Sequence, residues 1–466
     1  MEDQMASKSK RARMAPQDNL PRKFMFWAIA VLLVKFAIIF RIQGLNTGSG
    51  DRVYFVDGAW LGADGENYLM GYFALLKDGI FSEESILNYW PAGYPLFIFL
   101  LSLLGKSWVL TTLSIVQSLV FSYAVYLFAI QISKTRLKKY SYLAFILIIF
   151  NPTLSLSSIV IGYDSITASG ILISCALITK DFIEKNDKNF TKYLVINSLI
   201  LSFLSFVQPR LIVSGALTLL LWIYLRKGIK TGIKSLIISF LILMIFPTSL
   251  IIRNYQALGL TSISTNLGVT MNLGAGDGAT GGYGGSSSKA GVPCKTTGDS
   301  VQQDNQRVKC VLNWYLTNPV KSVELFYNKS IYFWSPWDGP IANGTMARNP
   351  WLTVSPIRDI ARSSEDGNKL VNGTAGKIAS WVWLLSGLGL LLYGFLILWR
   401  QGSIEKLLAV LALITVGTNW AISLMTIGDH RFRIPIMGLS LFLQAIGLKT
   451  LFRGGKPAMV DGPALR

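Results

Sequence analysis

Acidic residues are scarce in this chain: 25 aspartates and glutamates stand against 44 lysines and arginines in 466 residues. Charged residues of both signs make up only 15%, while hydrophobic residues reach 51%. That balance excludes an ordinary soluble enzyme of this length and fits a polytopic membrane protein. Histidine is rarer still, with His430 the single example among 466 residues, which limits transition-metal options. The three cysteines lack the spacing of a structural metal site. Two nucleotide-binding signatures are incomplete. GDGATG, Gly276 to Gly281, has the GxGxxG spacing but lacks a strand and helix around it, and LGKS around Lys106 has Leu100 where a phosphate-binding loop needs glycine. No small-residue cleavage site follows the first apolar run, so that run reads as an uncleaved signal anchor.

What is present is a series of apolar runs separated by short basic blocks. The net charge of +19 would suit nucleic acid if it lay on one face, but its distribution between apolar runs is the positive-inside pattern, and no nucleic-acid partner is expected. The runs are Phe24 to Phe40, Trp108 to Ile132, Tyr140 to Pro152, Ile166 to Ile178, Leu194 to Val207, Leu211 to Leu225, Ile233 to Ile252, Ile378 to Trp399, Leu407 to Ile427 and Ile434 to Leu448. They predict an all-α polytopic membrane protein with about ten transmembrane helices. Tyr94 to Leu104 is too short to cross and reads as an interfacial or re-entrant helix, because counting it would invert the basic blocks that follow.

The division this predicts is a basic cytoplasmic N-terminus over 1–23, an N-terminal membrane module over 24–252 with a first outer loop at 41–107, and a large outer loop over 253–377. C-terminal membrane helices over 378–448 and a cytoplasmic tail over 449–466 complete it. Both termini would lie in the cytoplasm of a bacterial cell, with the large loops outside its plasma membrane.

Several cations break the positive-inside pattern. Arg210, Arg253, Arg431 and Arg433 fall at the predicted outer ends of spans, where short loops are poor in arginine. A single arginine there is explained equally well by snorkelling to outer headgroups. For IGDHRFRIPI, with His430, Arg431 and Arg433 together, a lipid-attached phosphate fits both the charge and the depth, since guanidinium groups bind phosphate bidentately.

The first outer loop supplies opposite charge in Asp51, Asp57, Asp64, Glu66, Asp78, Glu83 and Glu84, with aromatic residues between them. Most of these belong to a solvated acidic loop. Asp64 stands out because Tyr68, Tyr72 and Leu75 continue from it at helical spacing, which places its carboxylate where a helix dipole favours an anion. A carboxylate beside membrane-level aromatics can serve as a general base.

Four stretches in order, DGENYLMGYFALLKDGIF, YWPAGYPLFIFLLSLLG, RNYQALGLTSISTNLGVTMNLGAG and HRFRIPIMGLSLFLQA, resemble polytopic glycosyltransferases of the GT-C superfamily, on its bacterial protein-mannosyltransferase-like and aminoarabinose-transferase-like branch. The resemblance implies a juxtamembrane helix in the first outer loop and a large second outer loop. It implies transfer of a sugar from a polyprenyl-phosphate donor to an acceptor hydroxyl on a protein, glycan or lipid, with inversion. Asp64 would be the general base and Asp164 a second acidic residue, in a position where glutamate is more usual and where a helix cap is an equal reading. Tyr68, Arg210, Arg253, His430, Arg431 and Arg433 would bind the substrate. Gln208 and Arg210 in VQPRL resemble an arginine-proline position with the order rearranged. A divalent cation bridging Asp64, Asp164 and the donor phosphate stays open.

Cys294 and Cys310 share the large outer loop and are expected to form a disulfide in an oxidising compartment. GATGGYGGSSSKAG reads either as a lid or as a connector. Trp334, Trp337 and Trp351 line a sugar or lipid groove or form an interfacial belt. The runner-up function is a transporter or flippase of a lipid-linked or anionic substrate. It would need ionisable residues near the midplane and internal repeats, but the apolar runs carry little charge beyond Lys35 and show no repeat. A ligase or phosphotransferase using a lipid-linked donor would keep the cationic seat without using Asp64.

Overall fold

Residues 19–42, 45–47, 54–61, 64–282, 291–334 and 374–452 are described by the computed structural model. The apolar runs become helices because a chain in hydrocarbon must satisfy every backbone polar group internally. The first is α1, Leu20–Ile39. A short loop pairs β1, Leu45–Thr47, antiparallel with β2, Tyr54–Val56. After β3, Trp60–Leu61, come α2, Gly65–Asp78, α3, Ile86–Tyr89, and α4, Gly93–Ser102.

The bundle continues through α5, Val109–Ser133, α6, Lys138–Ile149, α7, Pro152–Leu156, β4, Val160–Ile161, α8, Asp164–Glu184, and α9, Asp187–Val207. Helix α10, Leu211–Leu243, is broken at Gly228, whose φ of 74° stands in the middle of the basic block RKGIKTGIK. It is followed by α11, Ile245–Leu258. Three helices then pack outside the bundle: α12, Leu267–Leu273, α13, Ser300–Thr317, and α14, Pro319–Trp334. The last three are α15, Thr374–Trp399, α16, Ser403–Met425, and α17, Met437–Phe452, with a 3-10 turn over His430–Ile436 leading into α17.

Among the described residues, seven helices are long and apolar enough to cross a membrane, or eight if one bent pair is a single span. The expectation of about ten exceeds this count for physical reasons. Helix α1 has 20 residues but includes Arg22, Lys23 and Lys35. The run from Tyr140 bends by 58° where α6 meets α7, at the Asn151-Pro152 step. There Pro152 removes a backbone donor and the Asn151 side chain accepts from Leu154 N instead. The described apolar part of α15 is only Leu384–Trp399.

Helix α8 is the most enclosed of the spans. Its 21 residues extend about 32 Å, close to the roughly 30 Å of a hydrocarbon core. They also run past the apolar stretch, so that Asp181 is buried at the end opposite Asp164. It accepts from Trp222 Nε1 at 2.9 Å and Arg226 Nε at 3.0 Å.

Helix α4, at ten residues, is too short to cross. Its N-terminus docks on the C-terminal end of α9 so closely that a Cβ on Gly93 would stand 1.9 Å from the Phe206 carbonyl oxygen. Only glycine permits that contact. Helices α2 to α4 and α12 to α14 thus gather at one end of the bundle, the loop-rich end, where α8 begins and α16 finishes.

Candidate active site

Two strand fragments decide where the carboxylates go. Trp60 and Leu61 of β3 pair in parallel with Val160 and Ile161 of β4. Three residues beyond Leu61 stands Asp64, at the N-terminus of α2, and three residues beyond Ile161 stands Asp164, in the first turn of α8. A loop from the first part of the chain and a turn a hundred residues later therefore present two acids side by side, each where a helix dipole favours negative charge.

Between them lies Arg431. Its Nε donates to Asp164 Oδ2 at 3.0 Å, and its Nη1 donates to Asp64 Oδ2. The residue is 3% exposed, and its guanidinium carbon stands 5.2 Å from the centre of the Tyr163 ring. Local chemistry fixes the turn that carries it: the Asp429 side chain accepts from Arg431 N at 2.8 Å, and Asn419 Nδ2 donates to Phe432 O. Gly428 N donates to Gly281 O at 2.9 Å, and a Cβ on Gly428 would meet Lys329 O at 2.4 Å. The turn is thereby held under the outer helices.

Aromatic rings wall the centre. Tyr68, one turn along α2 from Asp64, packs edge-on against Tyr94 at 5.0 Å, Tyr163 at 5.8 Å and Trp90 at 6.5 Å. Burial, reinforced by Tyr163 and Asp64, holds the Tyr68 phenol well above its ordinary value, so it is a neutral hydrogen-bonding group rather than a base. Tyr94 OH donates to Gln117 Oε1 at 3.1 Å and accepts from Gly162 N at 2.8 Å. Gln117 in turn donates to the carbonyls of Ser158 and Val160. This network anchors the segment just before Asp164.

Arg210 adjoins the same centre. Its guanidinium stacks 4.2 Å from the centre of the Phe432 ring, and its Nε and Nη2 are buried without a hydrogen-bond partner. Neighbouring Gln208 donates to Tyr163 OH at 2.8 Å. Burial lowers the Arg210 guanidinium, with Tyr163 and Asp164 opposing, yet an arginine keeps its proton under all ordinary conditions.

Other expected substrate-binding residues are placed differently. Arg253 is buried with its donors on Ile80 O, Ser82 O and Asn254 Oδ1, which makes it a tie between α11 and the turn after α2. Arg433 Nη1 donates to Trp334 O at 2.8 Å, joining the turn to the end of α14. The backbone of His430 opens the 3-10 turn, but its side chain lies outside the described residues. So do Trp337, Trp351 and residues 283–290 of the Gly/Ser-rich stretch. No group of three or more His, Cys, Asp or Glu that could hold a metal is found among the described residues. The Sγ atoms of Cys294 and Cys310 are bonded, bracketing the start of α13.

Sequence reasoning missed Tyr163 and Gln117, and also Lys329, and took Tyr94 only as one of the aromatic residues among the first loop's acids. Lys329 is fully buried in α14, and its Nζ donates to Tyr315 OH at 2.8 Å and Leu424 O at 2.9 Å, so that it caps the end of α16. Tyr163 stands next to Asp164, the one signal that would have found it. Gln117 lies in an apolar helix, where an uncharged polar residue among serines gives no pattern.

A cleft of about 750 Å³ is lined by residues that include Phe73, Lys77, Glu84, Tyr89, Leu260 and Ser300. None of the carboxylates at Arg431 lines it, but α2 runs from Asp64 directly to it.

No family model and no curated protein matches the sequence. The fold is similar to that of solved structures of the oligosaccharyltransferase AglB from Archaeoglobus fulgidus. One of these, in complex with an inhibitory peptide and a dolichol-phosphate, is 12% identical, with 92% of this chain and 51% of that chain covered and a TM-score of 0.44. A second, in the apo form, is 12% identical with the same coverage and a TM-score of 0.45. The chain spans about half the length of these structures.

Proposed function

We propose that this chain is a membrane glycosyltransferase of GT-C type that transfers a sugar from a polyprenyl-phosphate donor to an acceptor hydroxyl at the outer membrane surface. The observation that carries the reading is the meeting of Asp64 and Asp164 at Arg431, beside an Arg210 whose Nε and Nη2 are buried without partners. A phosphate oxygen pair is the natural acceptor for two such donors. A carboxylate close to that seat is what an attacking hydroxyl needs.

In this mechanism Asp64 takes the proton of the acceptor hydroxyl as its oxygen bonds to the anomeric carbon. The bond from that carbon to the phosphate oxygen breaks on the opposite face, and its electron pair leaves with the lipid phosphate. Configuration inverts. Arg210 stabilises the charge that grows on the leaving group, in a site where the buried Tyr68, Tyr94 and Tyr163 exclude water. Arg431 holds Asp164 and Asp64 in register.

The orientation has its own support. The disulfide lies at the loop-rich end, as an oxidising outer compartment favours. Lysines such as Lys138, Lys185, Lys188 and Lys227 lie where the spans turn at the other end.

The test is transfer from a panel of radiolabelled polyprenyl-phosphate sugars by the purified protein in lipid. Wild type should transfer. Asp64→Asn should lose about 10²- to 10⁴-fold in turnover while still binding donor, and Arg210→Ala should lose donor affinity. Movement of the lipid across the bilayer without any transfer would replace this reading with that of a transporter.

A further inference from the structure

We infer that Arg431 is the resident cation of the two-carboxylate centre, occupying the position a bridging divalent metal would need. Two aspartates from different loops, brought together out of water, call for a countercharge, either a paired side chain or a bound metal ion. Here it is supplied covalently. One guanidinium reaches both acids through different nitrogens, Nε to Asp164 Oδ2 and Nη1 to Asp64 Oδ2. A metal coordinated to those same oxygens would sit about 2.0–2.6 Å from them, in direct conflict with the guanidinium and repelled by its charge.

The surroundings point the same way. The Arg431 backbone is tied by the Asp429 side chain, and Gly428 N is tied to Gly281 O. Tyr163 stands at the guanidinium at 5.2 Å, so the cation is located by packing and not by exchange with solvent. Magnesium demands octahedral oxygen coordination and calcium six to eight oxygens. Among the described residues no third acid, histidine or cysteine joins the pair. The remaining Asp164 oxygen, Oδ1, is buried without a hydrogen-bond partner. The inference rests on the proposed transfer centre for its catalytic meaning, but its test reads metal binding directly.

The experiment is a Mn²⁺ titration followed by electron paramagnetic resonance on the full chain in lipid nanodiscs, using wild type, Asp64→Asn, Arg431→Met and Arg431→Met with Asp64→Asn. Wild type and Asp64→Asn should take up Mn²⁺ identically, meaning that none is held by Asp64. Arg431→Met should bind Mn²⁺ at least about tenfold more tightly than wild type, a difference of about 1.4 kcal/mol, and adding Asp64→Asn should remove that gain. Wild-type Mn²⁺ that disappears in Asp64→Asn would overturn the inference, and so would an Arg431→Met protein with no gain. The wild-type comparison stands even if Arg431→Met fails to fold. A failed transfer assay would count against the proposed function and leave this result untouched.

Discussion

Asp64 and Asp164 stand at equivalent steps of one parallel pairing, each three residues past the partners Leu61 and Ile161, and each opens a helix. Their proximity is thus set by two backbone fragments and not by the acids themselves, which on their own would repel. Arg431 resolves that repulsion, and its energetic role can be measured.

Replacing Arg431 by methionine leaves two largely buried carboxylates facing each other, with side-chain exposures of 16% for Asp64 and 12% for Asp164. Breaking such a buried pair costs about 3–5 kcal/mol. Adding Asp64→Asn and Asp164→Asn should restore most of the loss, because no uncompensated charge then remains. Melting temperatures of the single and triple variants in one detergent check this, and simply additive losses would contradict it.

Tyr94→Phe removes both the donor to Gln117 and the acceptor for Gly162 N. Leaving those buried groups unpaired costs about 1–3 kcal/mol. Since the hydroxyl acts through the segment before Asp164, turnover should fall while donor affinity holds, and separate measurement of kcat and KM distinguishes this from lost binding.

Lys329 carries a pH dependence. Burial lowers its amine from 10.5 to about 7, so above pH 7 the unfolded chain holds a proton that the folded protein has released. Stability should therefore rise between about pH 7 and 10.5, by at most about 1.4 kcal/mol per pH unit. Below pH 7 the burial penalty is present in full. Thermal melts across that range should show a slope that Lys329→Met, which also loses the donor to Leu424 O, flattens.

The disulfide closes a loop with a sequence separation of 16, for which chain entropy gives about 3 kcal/mol. Cys294→Ser with Cys310→Ser should make the segment around residues 291–310 sensitive to limited proteolysis. Arg431 is fixed by other contacts, so transfer should fall less than in any variant of the acid pair.

Much of this arrangement was legible in the chain. Apolar runs predict membrane helices because hydrocarbon leaves no other backbone solution, and the helical spacing from Asp64 to Tyr68 and Tyr72 places the acid at a helix start. Arginines kept at span ends also marked Arg431 and Arg210 before any geometry was known. What could not be read was pairing. The two-residue match of β3 with β4 has no sequence pattern, and Arg253 and Arg431 look alike in sequence, although one ends on backbone carbonyls and the other on carboxylates. The number of spans depends on bends such as the one at Pro152 and on cations such as Lys35, which no hydropathy window places in three dimensions.

Asp164 and Arg431 are 267 positions apart. At a synthesis rate of about 5–20 residues per second, the paired acids wait roughly 13–53 s for their countercharge. During that interval the nascent chain carries both carboxylates without the guanidinium that joins them in the folded protein. A ribosome that stalls before Arg431 therefore leaves the two acids without the residue that joins them.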